Sequence, residues 1–563
     1  MKNYFGINFD KQKEAVLNCP AIKHFVAEII SKADSAIGKT YPALKMSEYM
    51  LFYETGDRST YEKKYFERRS DCAYLSAALW LTEDKKYVSP LINAIFTICD
   101  EYTWCSPAHV HMEKNPSPEK IVGFVDLFNG ETARLLTETV AVNGEKLPSY
   151  VNERISYEIR RRIIEGLKNS IFWWEKATNN WAAVCAGCSA AALLHFGTEE
   201  EINTLMPRLY DAIDNFLSGF ENDGCCKEGF MYWNYGFGHF LYFAKLLYTF
   251  TDGKKNYFDL PKVKSIGMFP QKIRMGKTKV YCVSDCDPGY EISLGAICLL
   301  RSIYGKDILY PTLDLPIKKV PVFSLKELLW FDANYKADDL KAETVIFENS
   351  EWYVKRGKLF SFGAKGGNND EPHNHNDIGS FMIVKNDGSV PIADLGRGEY
   401  RKGTFDPQIR YTLFVNGSQG HSVPIINGKN QLAGSTYKAA NVRAGENFFS
   451  LDIEGAYEKG AIEKLNRHFE ITNSSVILTD TFKLTSETDS ICERFISLIE
   501  PQICDGFVSL GETKICYEKG KYEVTLSSET YDTRMNADGL KTAYIIDFKL
   551  LKQENKTVFE III

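Results

Sequence analysis

The amino-acid sequence predicts a multidomain α+β protein, an N-terminal α/α toroid of helical hairpins followed by an antiparallel β-sandwich domain. Three observations carry this. Up to about residue 310, apolar residues recur at spacings of three and four; from residue 344 short apolar runs alternate with polar residues; a proline-spaced stretch beginning at Tyr310-Pro311 divides the two patterns. The expected divisions are 1–310 for the toroid, 311–343 for a linker and 344–563 for the sheet domain. A chain of 563 residues exceeds what one hydrophobic core usually organises, so more than one domain is expected.

In the first part, residues 62–100, 118–142, 148–172 and 236–251 carry apolar stripes with charges between them. Short Gly, Pro, Asn or Asp breaks separate them and imply antiparallel helical neighbours. In the second part, the runs Val345-Ile346-Phe347, Trp352-Tyr353-Val354, Leu359 to Phe362, Phe381 to Val384, Ser475 to Leu478 and Ala543 to Ile546 read as strands punctuated by turn residues.

Composition excludes several classes. The chain is 44% hydrophobic and 25% charged, hence globular. A net charge of −7 offers no overall attraction to nucleic acid or an anionic membrane. The N-terminus has no apolar leader and no run is long enough to span a bilayer. The expected location is cytoplasmic, or periplasmic or secreted for a chain from which a leader has been removed. The fourteen cysteines are scattered and read as free buried thiols, Cys185-x-x-Cys188 included. The run Arg160-Arg161-Arg162 reads as a solvated helix face. No P-loop, dinucleotide fingerprint, G-x-S-x-G or H-E-x-x-H is present.

The chemistry is expected in residues 371–397. His373 and His375 stand two apart before an apolar run, so on a strand both imidazoles would share one face. Asn386-Asp387-Gly388 is a strong turn signal, and a hairpin there would return Asp394 beside the histidines. Two histidines with a carboxylate suit a divalent metal or proton transfer; the plain alternative is a polar loop satisfying buried backbone groups. His421 recurs downstream. In the helical part, Asn179-Asn180-Trp181 reads as a helix cap with Trp181 packed behind it or as a ligand contact. Residues 223–236, with Glu228, Tyr232, Trp233 and Tyr235, form a glycine-punctuated aromatic loop suited to ligands. Trp104 and His109 are further candidates for the same end.

These motifs together (N-N-W at 179–181, D-G-x-x-x-E-G-x-x-Y-W-x-Y-G at 223–236, H-x-H-x-D at 373–377, A-D-x-G-R at 393–397 and G-H-S at 420–422) resemble the heparinase II/III-like polysaccharide lyases. The resemblance covers nearly the whole chain and is most specific over residues 371–397. It implies β-elimination of uronate glycans such as heparin, heparan sulfate or alginate. It implies Asn180 as the carboxylate-binding asparagine, with Asn179 as the alternative, and Tyr232 as the catalytic tyrosine, with Tyr235 as the alternative. It implies His373 as the facing histidine, His375, Asp394 and His421 as ligands of a structural Zn2+, and Arg397 as an anion contact. Trp181, Glu228, Trp233, Trp104 and His109 complete the expected substrate contacts. The expected partner is an anionic uronate-containing oligo- or polysaccharide, with no nucleic acid and no membrane; a homodimer is left open. The rival readings are a glycoside hydrolase pairing Glu228 with Asp223 or Asp126, a non-catalytic glycan-binding protein, and a zinc hydrolase.

Overall fold

The computed structural model describes residues 3–287, 289, 291–312, 324–532 and 540–563. The chain divides into two compact units. The first is residues 1–220, 233–264 and 291–338; the second is residues 221–232, 265–290 and 339–563.

The first unit is helical. Consecutive long helices pack as neighbours: Lys23–Ala36 on Ser59–Thr82, Ser59–Thr82 on Val88–Cys99, and Asn180–Phe196 on Glu199–Ser218. The Ala-rich helix Asn180–Phe196 also contacts Leu127–Asn143 and Gly238–Phe250. Its small side chains permit this, since a Cβ at Gly187 would lie 2.8 Å from the His239 carbonyl oxygen. Cys185 and Cys188 lie wholly buried on this helix, and burial pushes both thiols up. They are packing residues, as expected. Among the described residues no helix is long and apolar enough to cross a membrane.

The arginine run differs from expectation in one member. A π-helical turn, Arg160–Ile164, rotates Arg162 inward. There it donates to Glu158 (2.8 Å) and to the carbonyls of Glu101 and Tyr102, and lies over the Trp104 ring. Arg160 and Arg161 remain partly exposed.

The second unit is built of antiparallel sheets. One orders Glu343–Phe347, Trp352–Arg356, Phe360–Lys365 and Phe381–Lys385. An eight-stranded sheet has Lys464–Ile471, Ser475–Lys483 and Lys556–Ile562 at its centre. A third pairs Tyr522–Asp532, Leu540–Leu550, Ile491–Ser497 and Ile425–Ile426. Phe362, Phe381, Phe469, Phe495, Phe548 and Phe559 form one aromatic core among the three. The fold class is the expected one.

The boundaries differ from a single division near residue 310. Residues 221–232 and 265–290 precede it, yet they are bound into the sheet unit. The Asp223 carboxylate accepts the backbone N–H groups of Asn349 and Ser350 (3.0 and 2.9 Å), and Arg356 donates to the carbonyls of Gln271, Lys272 and Arg274. Of the expected linker, residues 313–323 lie outside the described residues. Residues 324–338 belong to the helical unit: the Leu325 N–H donates to Glu138, and Leu325, Leu328 and Leu329 are buried.

Candidate functional site

The site of the sheet unit is organised by Asp285, which lies on the loop 281–287 and is wholly buried. One oxygen meets His373 Nδ1 at 2.8 Å and accepts from Arg410 at 3.0 Å, and the other meets His375 Nε2 at 3.0 Å. Burial alone would raise this carboxyl; the Arg410 guanidinium and the two imidazoles outweigh burial and hold it well below the usual carboxylate range. The ionised Asp285 fixes the tautomer of both rings, because each must direct an N–H at it. A neutral His373 then carries its lone pair on Nε2, and a neutral His375 on Nδ1.

The two histidines do not lie on a strand. Residues 371–380 form a loop, and His373 itself has a left-handed backbone, φ 59°. A residue with a Cβ takes that conformation at a cost of about 1–3 kcal/mol, and here it turns the ring onto Asp285. The expected hairpin does form: Ile383 N–H donates to the Ile392 carbonyl and Lys385 N–H to that of Ser389, around Asn386-Asp387-Gly388. It returns Asp394 beside His421, with Oδ2 3.3 Å from Nδ1.

Two glycines clamp neighbouring segments onto the loop of Asp285. A Cβ at Gly396 (φ +64°) would lie 1.9 Å from the Cys286 carbonyl oxygen, and one at Gly229 (φ +94°) 2.8 Å from that of Val283. Gly396 brings Arg397, which donates to Asp287 at 3.2 and 3.1 Å. Gly229 brings Glu228 and Tyr232. The Tyr232 ring stacks on His373, centroids 3.9 Å apart at 22°, and Glu228 Oε2 lies 3.6 Å from His373 Nε2. The Tyr232 hydroxyl lies 2.9 Å from the hydroxyl of Tyr400. Phe405, half exposed, sets its ring edge-on to both His373 and Tyr400. Burial and the Asp285 charge raise the Tyr232 phenol above its ordinary value, and the hydrogen bond from Tyr400 and the Arg397 charge oppose this without cancelling it. Tyr232 is therefore a protonated phenol at neutral pH.

A second cluster adjoins the first through His375. His375, Asp377 and His421 are wholly buried and bring their ligand atoms within 4.8 Å of one another. His375 Nδ1 and Asp377 Oδ2 have no hydrogen-bond partner, and His421 Nδ1 and Asp394 Oδ2 face only each other at 3.3 Å. Buried atoms left so are costly unless something satisfies them, and two imidazoles with carboxylates suit a divalent cation. Lys365 occupies the other oxygen of Asp377 at 2.8 Å. The cluster thus contains Asp377 where the sequence suggested Asp394, and Asp394 lies beside His421.

The remaining candidates lie in the helical unit. Asn179 caps the helix Asn180–Phe196 by accepting the Trp181 N–H, the plain reading of that motif, and Asn180 is buried at its first position. Tyr235, in a π-helical turn, directs its hydroxyl to Glu131 at 3.1 Å; the division between the units falls between Tyr232 and Trp233. Trp104 and Trp233 are wholly buried and present no face to a ligand. His109 is held by Asp126 at 2.7 Å and meets Trp181 edge-on, and Trp181 in turn contacts Trp173, which is 55% exposed. Asp285, Asp287, Tyr400, Arg410 and Trp173 escaped the sequence reading. Only Trp173, in a Trp pair six residues before Asn179, left a local signal.

With this geometry the fold can be placed. It is similar to that of a heparinase III (TM-score 0.61, 12% identity, over 97% of this chain and 92% of that one). It is also similar to that of heparan sulfate lyase HepC from Pedobacter heparinus (0.57, 12%, 98% and 86%). A third similar structure is Streptomyces coelicolor A3 chondroitin AC lyase with chondroitin sulphate (0.56, 9%, 98% and 82%). The chain has a polysaccharide lyase fold. No protein-family model and no curated protein sequence matches it.

Proposed function

We propose that the chain is a lyase that cleaves uronic-acid-containing glycans, of the heparan sulfate, alginate or related glycosaminoglycan class, by β-elimination. The observation that carries this reading is the sequence of contacts Asp285, His373, Tyr232, Tyr400 within one unit. Elimination at a 4-linked uronate requires a base for the C5 proton and an acid for the departing O4. His373 Nε2, with its lone pair exposed by the Asp285 contact, is the base; the protonated Tyr232 is the acid. The charge developing on the uronate carboxylate requires neutralisation, a task we assign from the sequence to Asn180, with Arg397 as the cation of the sheet unit. Solved proteins of this fold are named heparan sulfate, chondroitin AC and xanthan lyases, which supports an anionic glycan as partner.

The hydrolase readings lose their residues. Asp223 caps the backbone of Asn349 and Ser350; Asp126, wholly buried, accepts from Asn129 N–H, Ser106 N–H and His109. Neither is left to pair with Glu228 across a glycosidic bond. A zinc hydrolase would need a cation open to a polymer, and His375, Asp377 and His421 are wholly buried.

The test is near-ultraviolet absorbance on a panel of uronate glycans, since only elimination yields a conjugated unsaturated uronate. Wild type should generate the absorbance, and Tyr232→Phe and His373→Ala should each reduce the rate about 10²–10⁴-fold. Reducing ends without absorbance would sink the reading.

We also assign a zinc ion to His375, Asp377 and His421, where it would hold the loop that presents His373. Preparations should carry about one equivalent of zinc per chain, lost in His421→Ala and Asp377→Ala, with a lowered melting temperature as the bound-state stabilisation disappears. Elemental analysis showing zinc retained by both variants would remove the assignment.

A further inference from the structure

We propose that Tyr400 is a positioning residue for this elimination: it holds the Tyr232 hydroxyl by a hydrogen bond, stabilises the phenolate left when Tyr232 gives up its proton, and returns a proton to it. The proposal rests on the reading of Tyr232 as the acid.

Three features of the structure converge on it. The two hydroxyls are 2.9 Å apart, within the range of a direct O–H···O bond. Tyr232 is 9% exposed, whereas Tyr400 keeps part of its surface open, so Tyr400 is the more exposed of the two residues. The Arg397 guanidinium lies 5.8 Å from the centre of the Tyr400 ring, placing a positive charge beside the pair that would carry the negative one. A hydrogen bond to an anion is about twice as strong as one between neutral groups, so the Tyr400 contact strengthens as the Tyr232 proton leaves. That is the condition for an interaction that lowers a barrier instead of merely binding.

The step balances without a co-reactant. The C5–H bond breaks with its proton going to His373 Nε2, and its electron pair forms the C4=C5 double bond. The C4–O4 bond breaks with its pair remaining on O4, which takes the Tyr232 proton. The Tyr400 proton passes to the Tyr232 phenolate, Tyr400 regains one from solvent, and the His373 imidazolium releases one to solvent.

The experiment compares wild type, Tyr400→Phe and Tyr232→Phe on two uronates, one with a sugar at O4 and one with 2,4-dinitrophenoxide at C4, which departs without a proton. On the sugar substrate Tyr400→Phe should lower kcat about 10- to 100-fold with KM within about twofold, because the missing hydroxyl acts when the phenolate forms. On the dinitrophenyl substrate both variants should run near the wild-type rate. If Tyr232→Phe is rescued but Tyr400→Phe is slow on both substrates, Tyr400 is structural and the proposal falls alone. Wild-type kcat for Tyr400→Phe on the sugar substrate would show its hydroxyl to be dispensable and would also overturn the proposal. If Tyr232→Phe itself is slow on both, the acid reading of Tyr232 fails and takes this proposal with it.

Discussion

Asp285→Asn should lower kcat on a uronate substrate about 10³–10⁴-fold while leaving the sheet unit folded, by analogy with the loss seen when a carboxylate that orients a catalytic imidazole becomes an amide. The reason is the count of donors. His373 Nδ1, His375 Nε2 and Arg410 all direct N–H groups at Asp285. An amide offers one accepting oxygen and a donating NH2, so at least one imidazole must invert its tautomer. If His373 inverts, its proton sits on Nε2, where the base needs its lone pair. If His375 inverts, its proton faces Asp377 and His421. Nitrogen-15 spectra of the histidines in the variant should show the altered tautomer directly, and kcat within threefold of wild type would remove Asp285 from the mechanism.

The second large effect concerns stability. Arg467 is 1% exposed and uses its whole guanidinium: Nε meets both oxygens of Asp480 at 3.0 Å, Nη2 meets Glu493 at 2.9 Å, and Nη1 donates to the carbonyls of Gly379 and Ser422. Burial and the neighbouring Asp480 push the Glu493 carboxyl well up, and Arg467 is the cation that faces both carboxyl groups. Arg467→Met leaves them buried without that partner and should destabilise the protein by about 3–5 kcal/mol. The melting temperature should fall by about 3–4 °C if the whole chain melts together, and by more if the sheet unit melts alone. Adding Asp480→Leu should recover a large part of the loss, since an apolar pair of similar volume tolerates burial. A single variant that melts like wild type, or a double variant worse than the single, would contradict this account.

How much of this was legible beforehand depended on whether the cause was local. Helix stripes, alternating strands and the Asn386-Asp387-Gly388 turn are encoded within a few residues, and they were read correctly. The histidines were recognised as a group, though for a reason the structure replaces: a shared carboxylate gathers His373 and His375, not the pleat of a strand. Asp285 sits 88 residues before His373 in Cys282-Val283-Ser284-Asp285-Cys286, a segment with no motif and no periodicity, and Tyr400 meets Tyr232 across 168 residues. Contacts of that range are set by tertiary packing and leave no mark on local pattern. Nor does local pattern show that the chain passes from one unit to the other between Tyr232 and Trp233.

That passage has a consequence for anyone who would move the catalytic half elsewhere. Glu228, Tyr232, Asp285 and Asp287 belong spatially to the sheets but are encoded before residue 291, interleaved with helix-forming sequence. A gene fragment beginning at residue 339 would specify every strand of the sheets described, His375, His421 and His373, and still lack the proposed acid, Tyr232, and the carboxylate of Asp285. The catalytic half is therefore not a cassette: it can be inherited, recombined or grafted only together with the helical sequence that carries its missing pieces.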